Sequence, residues 1–67
     1  MSGNLIEGIL KECERVRELR AFCVTIGPDG LFAIAGYDAA IFAGEAAVAS
    51  GEAIDCVRAL AILRDCE

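Results

Sequence analysis

From Leu31 to Val48 the chain reads LFAIAGYDAAIFAGEAAV, and charge interrupts this apolar run only at Asp38 and Glu45, one heptad apart. Wound as an α-helix, the run places Leu31, Ala35 and Phe42 on one flank and Ile34, Ile41 and Val48 on another. Phe32, Ala39 and Ala43 fall on a third. A helix that is apolar all round must be buried on all sides, and two short flanking helices offer too little surface to cover it. The pattern therefore predicts self-association: a homodimer or higher oligomer whose shared core contains this helix. Leu31, Ile34, Ile41, Phe42, Gly44 and Val48 are the expected interface residues.

Two further helices flank this one. Asn4 followed by Glu7 has the form of a capping box, an Asn N-cap with a Glu three positions on. After it, Ile6, Ile9, Leu10, Cys13, Val16, Leu19 and Cys23 recur at helical spacing, so a helix is expected from about Leu5 to about Phe22. Its outer face carries Glu7 with Lys11 and Glu14 with Arg17 at spacings that favour ion pairs. The β-branched Val24-Thr25-Ile26 after Cys23 suggests a short extended piece, and Gly27-Pro28-Asp29-Gly30 a β-turn. Ser50-Gly51 is a natural stop for the second helix. The third begins at Glu52 or Ala53, with Ala53, Cys56, Val57, Leu60, Ala61 and Leu63 on one face and Asp55, Arg58, Ile62 and Asp65 toward the other. So short a junction predicts that helices two and three form an antiparallel hairpin. The expected fold is all-α, a single helical domain over residues 1–67.

Small residues recur every fourth position in the second helix, at Gly36, Ala40 and Gly44 and at Ala35, Ala39, Ala43 and Ala47. Such ladders let another helix approach closely. Glycine weakens a helix by about 0.5–1 kcal/mol relative to alanine, so a close contact is expected in return.

Composition sharpens this picture. Hydrophobic residues make up 57% of the 67, above the roughly 45–50% of ordinary globular domains, and the surplus is most simply placed in an oligomer interface. Six Lys and Arg against eleven Asp and Glu give a net charge of −5. No basic patch is available for phosphate contacts, so no nucleic-acid partner is expected. The mild acidity keeps an apolar chain soluble. Residues 31–48 are long enough to raise the question of a membrane span. Two carboxylates within the run, and no Trp, Lys or Arg anchors at its ends, argue against it. No basic stretch precedes an apolar segment at the start. A cytoplasmic location with no membrane partner is expected.

Candidate chemistry is sparse. There is no histidine, so the usual general base near neutral pH is missing. Ser2, Thr25, Ser50 and Tyr37 have no evident base beside them. Asp38 and Glu45 are separated by about 10.5 Å of helix rise, and a chain this short offers no cleft between them for a sugar. Gly27-Pro28-Asp29-Gly30 lacks the spacing and the Lys-Ser/Thr ending of a phosphate loop. No catalytic residue is assigned, and the chain is expected not to be an enzyme. Nine residues separate Cys13 from Cys23, and nine separate Cys56 from Cys66. This spacing resembles the twin Cx9C hairpins of the mitochondrial intermembrane space, whose two cysteine helices are joined by a short loop, whereas here an apolar helix intervenes. The four thiols also lack the close pairs that structural zinc uses, so neither a metal nor any other cofactor is expected. Cys13 and Cys56 read as small core residues, and Cys23 and Cys66 as lying near helix ends.

The arginines carry the remaining possibility. Arg20 falls within the apolar stripe of the first helix and Arg64 within that of the third. Either the stem is buried and the head reaches solvent, or Arg20 pairs with Asp38 or Glu45 across a subunit interface or awaits an anionic ligand. A nucleotide-like anion bound at a subunit boundary would use Arg17, Arg20, Tyr37 and Arg58.

Several segments together carry a resemblance. They are Asn4-Leu5-Ile6-Glu7, the run Glu12 to Leu19, Ile26-Gly27-Pro28, Gly30 with Phe32, and Ala47-Val48-Ala49-Ser50-Gly51 leading to Arg58-Ala59. In these the chain resembles small helical proteins encoded by phages and prophages of proteobacteria. Arg20 departs from the group, which tends to be apolar there, and Cys23, Cys56 and Cys66 are individual to this chain. The resemblance implies a fold and no reaction. With the absence of catalytic groups, it leads to the expectation of an interaction protein of a mobile element. Such a protein would bind itself and a host protein, for instance a defence component, in the cytoplasm of a bacterial host.

Overall fold

Two glycines in left-handed backbone conformations, Gly27 at φ 90° and Gly51 at φ 70°, divide the chain into its helices. The computed structural model describes the backbone of residues 2–67 and side chains from residue 4 onward. Among the described residues there are three α-helices, α1 (Ser2–Ile26), α2 (Leu31–Ser50) and α3 (Ala53–Arg64), and no strand. Each helix packs against both others, in a body of 40 × 17 × 15 Å. The fold is all-α.

The helix boundaries depart from the expectation at the start and end of α1. The helix begins at Ser2, so Asn4 lies inside its first turn and is not its N-cap. At the other end Cys23 to Ile26 is helical, not extended. The Thr25 hydroxyl donates to the Phe22 carbonyl at 2.6 Å, which occupies the hydroxyl locally and lets a β-branched residue finish the helix. Gly27 then reverses the chain. The turn closes through the Gly30 N–H donating to the Gly27 carbonyl at 2.9 Å, with Pro28 to Gly30 in a single 3₁₀ turn. The left-handed backbone angles of the turn belong to Gly27. Gly30 is required for space: a Cβ there would collide with the Cys23 carbonyl oxygen.

At the second junction the outcome follows the sequence closely. The Gly51 N–H donates to the Ala47 carbonyl at 3.1 Å, the left-handed helix ending that glycine provides at little cost. The Ser50 hydroxyl accepts from the Glu52 N–H at 3.1 Å and donates to the Ala47 carbonyl at 2.9 Å.

The core is one cluster drawn from all three helices. Ile9, Cys13, Val16 and Cys23 come from α1, Tyr37, Ala40 and Ala47 from α2, and Cys56, Ala59 and Leu63 from α3. Fully burying an aliphatic side chain such as Ile9 or Leu63 contributes about 1.5–3 kcal/mol, so these two and Val16 anchor the bundle. Leu10, assigned to the inner face of α1, is exposed, as is Val57 in α3. The buried stripe of α3 runs instead through Cys56, Ala59 and Leu63, and Arg64 points to solvent. At Gly44 all three helices press together with no room for a side chain. A Cβ there would lie 2.8 Å from the Cys13 sulfur, 3.1 Å from Leu63 Cδ1 and 3.3 Å from Ile9 Cγ2. The small-residue ladder thus packs at Ala40 and Gly44, whereas Gly36 faces open space.

Candidate functional site

The four residues expected to hold an anion do not converge. Arg17 on α1 places Nη2 2.7 Å from Glu45 Oε2 on α2, and so reaches across the helix pair and not along its own helix to Glu14. Arg20 lies one turn further on, with Nε 2.5 Å from Asp38 Oδ1. The hydrogen bond and charge of Asp38 push the Arg20 guanidinium above its ordinary value, so it is a fixed cation. The expected pairing of Arg20 with a carboxylate of α2 therefore forms, but within one chain. Tyr37 is buried, and its hydroxyl donates to the Glu67 carbonyl. Burial first, with neighbouring Cys23 and Cys66, raises the phenol's pKa.

Arg58 stands apart, on the rim of a shallow groove of about 240 Å³ between α2 and α3. The floor of this groove is Ala43, Ala47 and Ala59, and Asp55 and Ile62 share the rim. Arg17 lines a different groove of about 160 Å³ between α1 and α2, with Leu10, Gly44 and Val48. Two of the four candidates are thus engaged by carboxylates, one by a backbone carbonyl, and Arg58 shares its groove with an acid.

Arg15 plays a part that its position in the sequence did not signal. Its guanidinium donates to the carbonyl of Leu63 at 2.9 Å and to that of Cys66 at 3.0 Å. Nε binds Glu12 at 2.9 Å. The last carbonyls of a helix have no intrahelical partner and carry partial negative charge. The Leu63 carbonyl, in the last turn of α3, also accepts from the Cys66 N–H at 3.1 Å, and the Cys66 carbonyl lies just beyond the helix, so a cation from α1 ties the end of α3 in place. The partners are backbone atoms about fifty residues away, so side-chain pattern carries no trace of the contact.

The interface residues expected from the sequence separate into two groups. Leu31 is 64% exposed and Phe42 73%. Ile34, Ile41 and Val48 are partly buried against the chain's own core, and Gly44 is enclosed within the same chain by Cys13, Leu63 and Ile9. Phe32, 93% exposed, joins Leu31 and Phe42 on the outer face. Ala35, Ala39, Ala46 and Ala49 are also exposed there. The outward face of α2 is therefore continuous and apolar, with Asp38 and Glu45 confined to the edge that meets α1.

All four cysteines are free thiols. Cys13 packs at Gly44, and the Cys56 thiol donates to the Ala47 carbonyl at 3.6 Å, so the shared nine-residue spacing joins none of them in a disulfide. Burial pushes the Cys13 and Cys66 thiols up, outweighing the opposing pull of Arg17 and Arg15 respectively. Thiols held in the protonated form are poor nucleophiles and poor metal ligands. Among the described residues no group of His, Cys, Asp and Glu is placed to hold a metal ion. The segment Pro28–Ser50 has the length and apolar composition to cross a membrane, a test that the core helix of a soluble protein also passes.

The fold and this surface define an all-helical protein with paired arginines and an uncovered apolar helix face. No family model matches the chain, and no curated protein or solved structure aligns with it significantly.

Proposed function

We propose that this chain is a non-enzymatic interaction protein of a phage or prophage, which self-associates and binds and modulates a protein of its bacterial host in the cytoplasm. The observation that carries this reading is the amount of large apolar side chain left outside the core of one chain. Leu31, Phe32 and Phe42 stand out on α2, and Ile54 and Val57 on α3. Contiguous exposed apolar surface on a small protein marks an interaction site. The same reading takes α2 and α3 as an antiparallel hairpin. Only Gly51 and Glu52 separate the two helices, and the Cys56 thiol meets the Ala47 carbonyl across the junction.

The alternative, a nucleotide-like anion held at a subunit boundary, is the second reading. An incoming phosphate must displace Glu45 from Arg17 or Asp38 from Arg20, and Arg58 is flanked by Asp55. Thermal melting with a panel of mono- and dinucleotides separates the two readings, because a ligand specific for the native state raises the melting temperature by mass action. No shift is expected. A saturable rise that Arg58→Leu or Arg20→Leu abolishes would overturn the interaction reading in favour of the ligand one. Immobilised protein is expected to retain one specific host protein, and Ile54→Glu on α3 to weaken that retention. A clean blank across host lysates counts against it.

A further inference from the structure

The outward face of α2 is a large surface whose residues are uniformly apolar, and its geometry says what fits it. At 100° per residue, Leu31, Ala35, Ala39, Phe42, Ala46 and Ala49 fall within one face, with Phe32 at its border, and all are exposed. Bulky and small side chains alternate along it: Phe32, then Ala35 and Ala39, then Phe42, then Ala46 and Ala49. We propose that a second copy of this chain covers this face, with the two α2 helices antiparallel about a two-fold axis that passes between Ala39 and Phe42. The proposal rests on the self-association in the functional reading and adds the face, the direction and the register.

In this register Phe42 lies against the partner's Ala39, Phe32 against the partner's Ala49, and Ala35 against the partner's Ala46. Each aromatic ring meets a methyl group and no ring meets its own image, the large-against-small interdigitation that close helix packing requires. A parallel arrangement about an axis along the helices would stack Phe32 on Phe32 and Phe42 on Phe42, leaving gaps at the alanines.

Charge points to the same occupant. A chain of net charge −5 repels its own copy, and least where the facing surfaces carry no net charge. The α2 face has no ionised side chain, and the two carboxylates on its edge, Asp38 and Glu45, are neutralised by Arg20 and Arg17 of the same chain. Depletion of charge at the centre is also the mark of homodimer interfaces. The face runs the 20 residues of α2, about 30 Å at 1.5 Å per residue, long enough for every Phe-against-Ala contact of this register to form at once.

The test joins a mass measurement to a proximity measurement on the full chain. Light scattering after gel filtration should give a dimer unaffected by reductant, and Phe42→Glu should give a monomer of unchanged helical circular dichroism. In a Cys66→Ser background, which leaves the three buried thiols in place, Ala39→Cys should be linked into a covalent dimer by a short bis-maleimide. Ile54→Cys on α3 should not. A wild-type dimer that links through residue 54 and not through 39, and survives Phe42→Glu, overturns the proposed face and register while leaving self-association standing. A wild-type monomer at all concentrations overturns both. Flotation of such a monomer with neutral phosphatidylcholine vesicles would then assign the face to a bilayer.

Discussion

Gly44 of α2 packs against Cys13 of α1: a single added carbon on Gly44 would stand 2.8 Å from the Cys13 sulfur. Two glycines of α2 consequently have opposite expected responses to alanine. At Gly44 the new methyl group overpacks the core, which costs about 1–3 kcal/mol, against which helix propensity returns at most about 1 kcal/mol. Net destabilisation of up to about 2–3 kcal/mol is expected, a fall in melting temperature of roughly 4–8 °C per kcal/mol for a domain of this size. At Gly36, which faces open space, alanine is expected to stabilise by about 0.5–1 kcal/mol. Urea melts of the two variants check the sign of each. Equal responses would mean that the helices do not meet at Gly44.

The contact also predicts a coupling. Cys13→Ala removes the sulfur that the Gly44→Ala methyl group would strike. The double variant is therefore expected to be more stable than the sum of the single effects implies, by about 0.5–2 kcal/mol of interaction energy. A double-mutant cycle by chemical denaturation measures it.

Replacing Arg15 with Met keeps most of the side chain's length and removes its hydrogen bonds to the Leu63 and Cys66 carbonyls. Hydrogen bonds to charged groups contribute about 1.5–3 kcal/mol, and partial exposure of the guanidinium reduces this. A loss of about 1–2 kcal/mol is expected. It should be accompanied by faster amide exchange in the last turn of α3, while the Gly27–Gly30 turn is unaffected. Hydrogen exchange resolves the two regions.

Stability should fall in alkali. Cys13 and Cys66 have thiol pKa values raised by burial, so the folded chain holds protons that the unfolded chain releases near the ordinary thiol value of about 8.5. The stabilisation is fully present below that value and is lost as pH rises from it toward the folded pKa, because the unfolded state then binds fewer protons. The raised phenol of Tyr37 acts in the same direction at higher pH. Denaturation midpoints between pH 7 and 10.5 should decline, and less steeply in Cys13→Ala.

Gly51→Ala tests the helix junction. Its φ of 70° is disfavoured for any residue with a Cβ, and the substitution is expected to cost about 1–2 kcal/mol although no neighbour lies near enough to clash. Melting of this variant separates backbone strain from packing, since Gly44→Ala carries only the second.

The helices and the second junction were legible because their signals are local. Hydrophobic spacing marks Ile9, Cys13 and Val16, and a lone glycine after Ser50 marks a helix end. The extent of α1 was not legible: Val24, Thr25 and Ile26 have the composition of a strand, and only the Gly27 turn, by letting α2 pack back on α1, makes the helical form the better one. The pairing of Arg20 with α2 could be anticipated from an arginine in an apolar stripe opposite a helix with two carboxylates, but not that one chain suffices for it. Arg15 was invisible because its partners are carbonyl groups, which every residue has. Gly44 shows the commonest ambiguity. The same small residue permits close approach by another helix of its own chain or of a second chain, and sequence does not distinguish them.

Three of the four thiols are sealed in the core, two in α1 (Cys13 and Cys23) and one in α3 (Cys56). The protein therefore carries its own clocks. A thiol can be alkylated only when the bundle around it opens, so the rate at which each cysteine is consumed by a soluble reagent reads the opening free energy at that place. If Cys56 is consumed before Cys13, the 12-residue α3 lifts away on its own and the Arg15 clasp is the weak seam. If both are consumed at one rate, the three helices open as a unit.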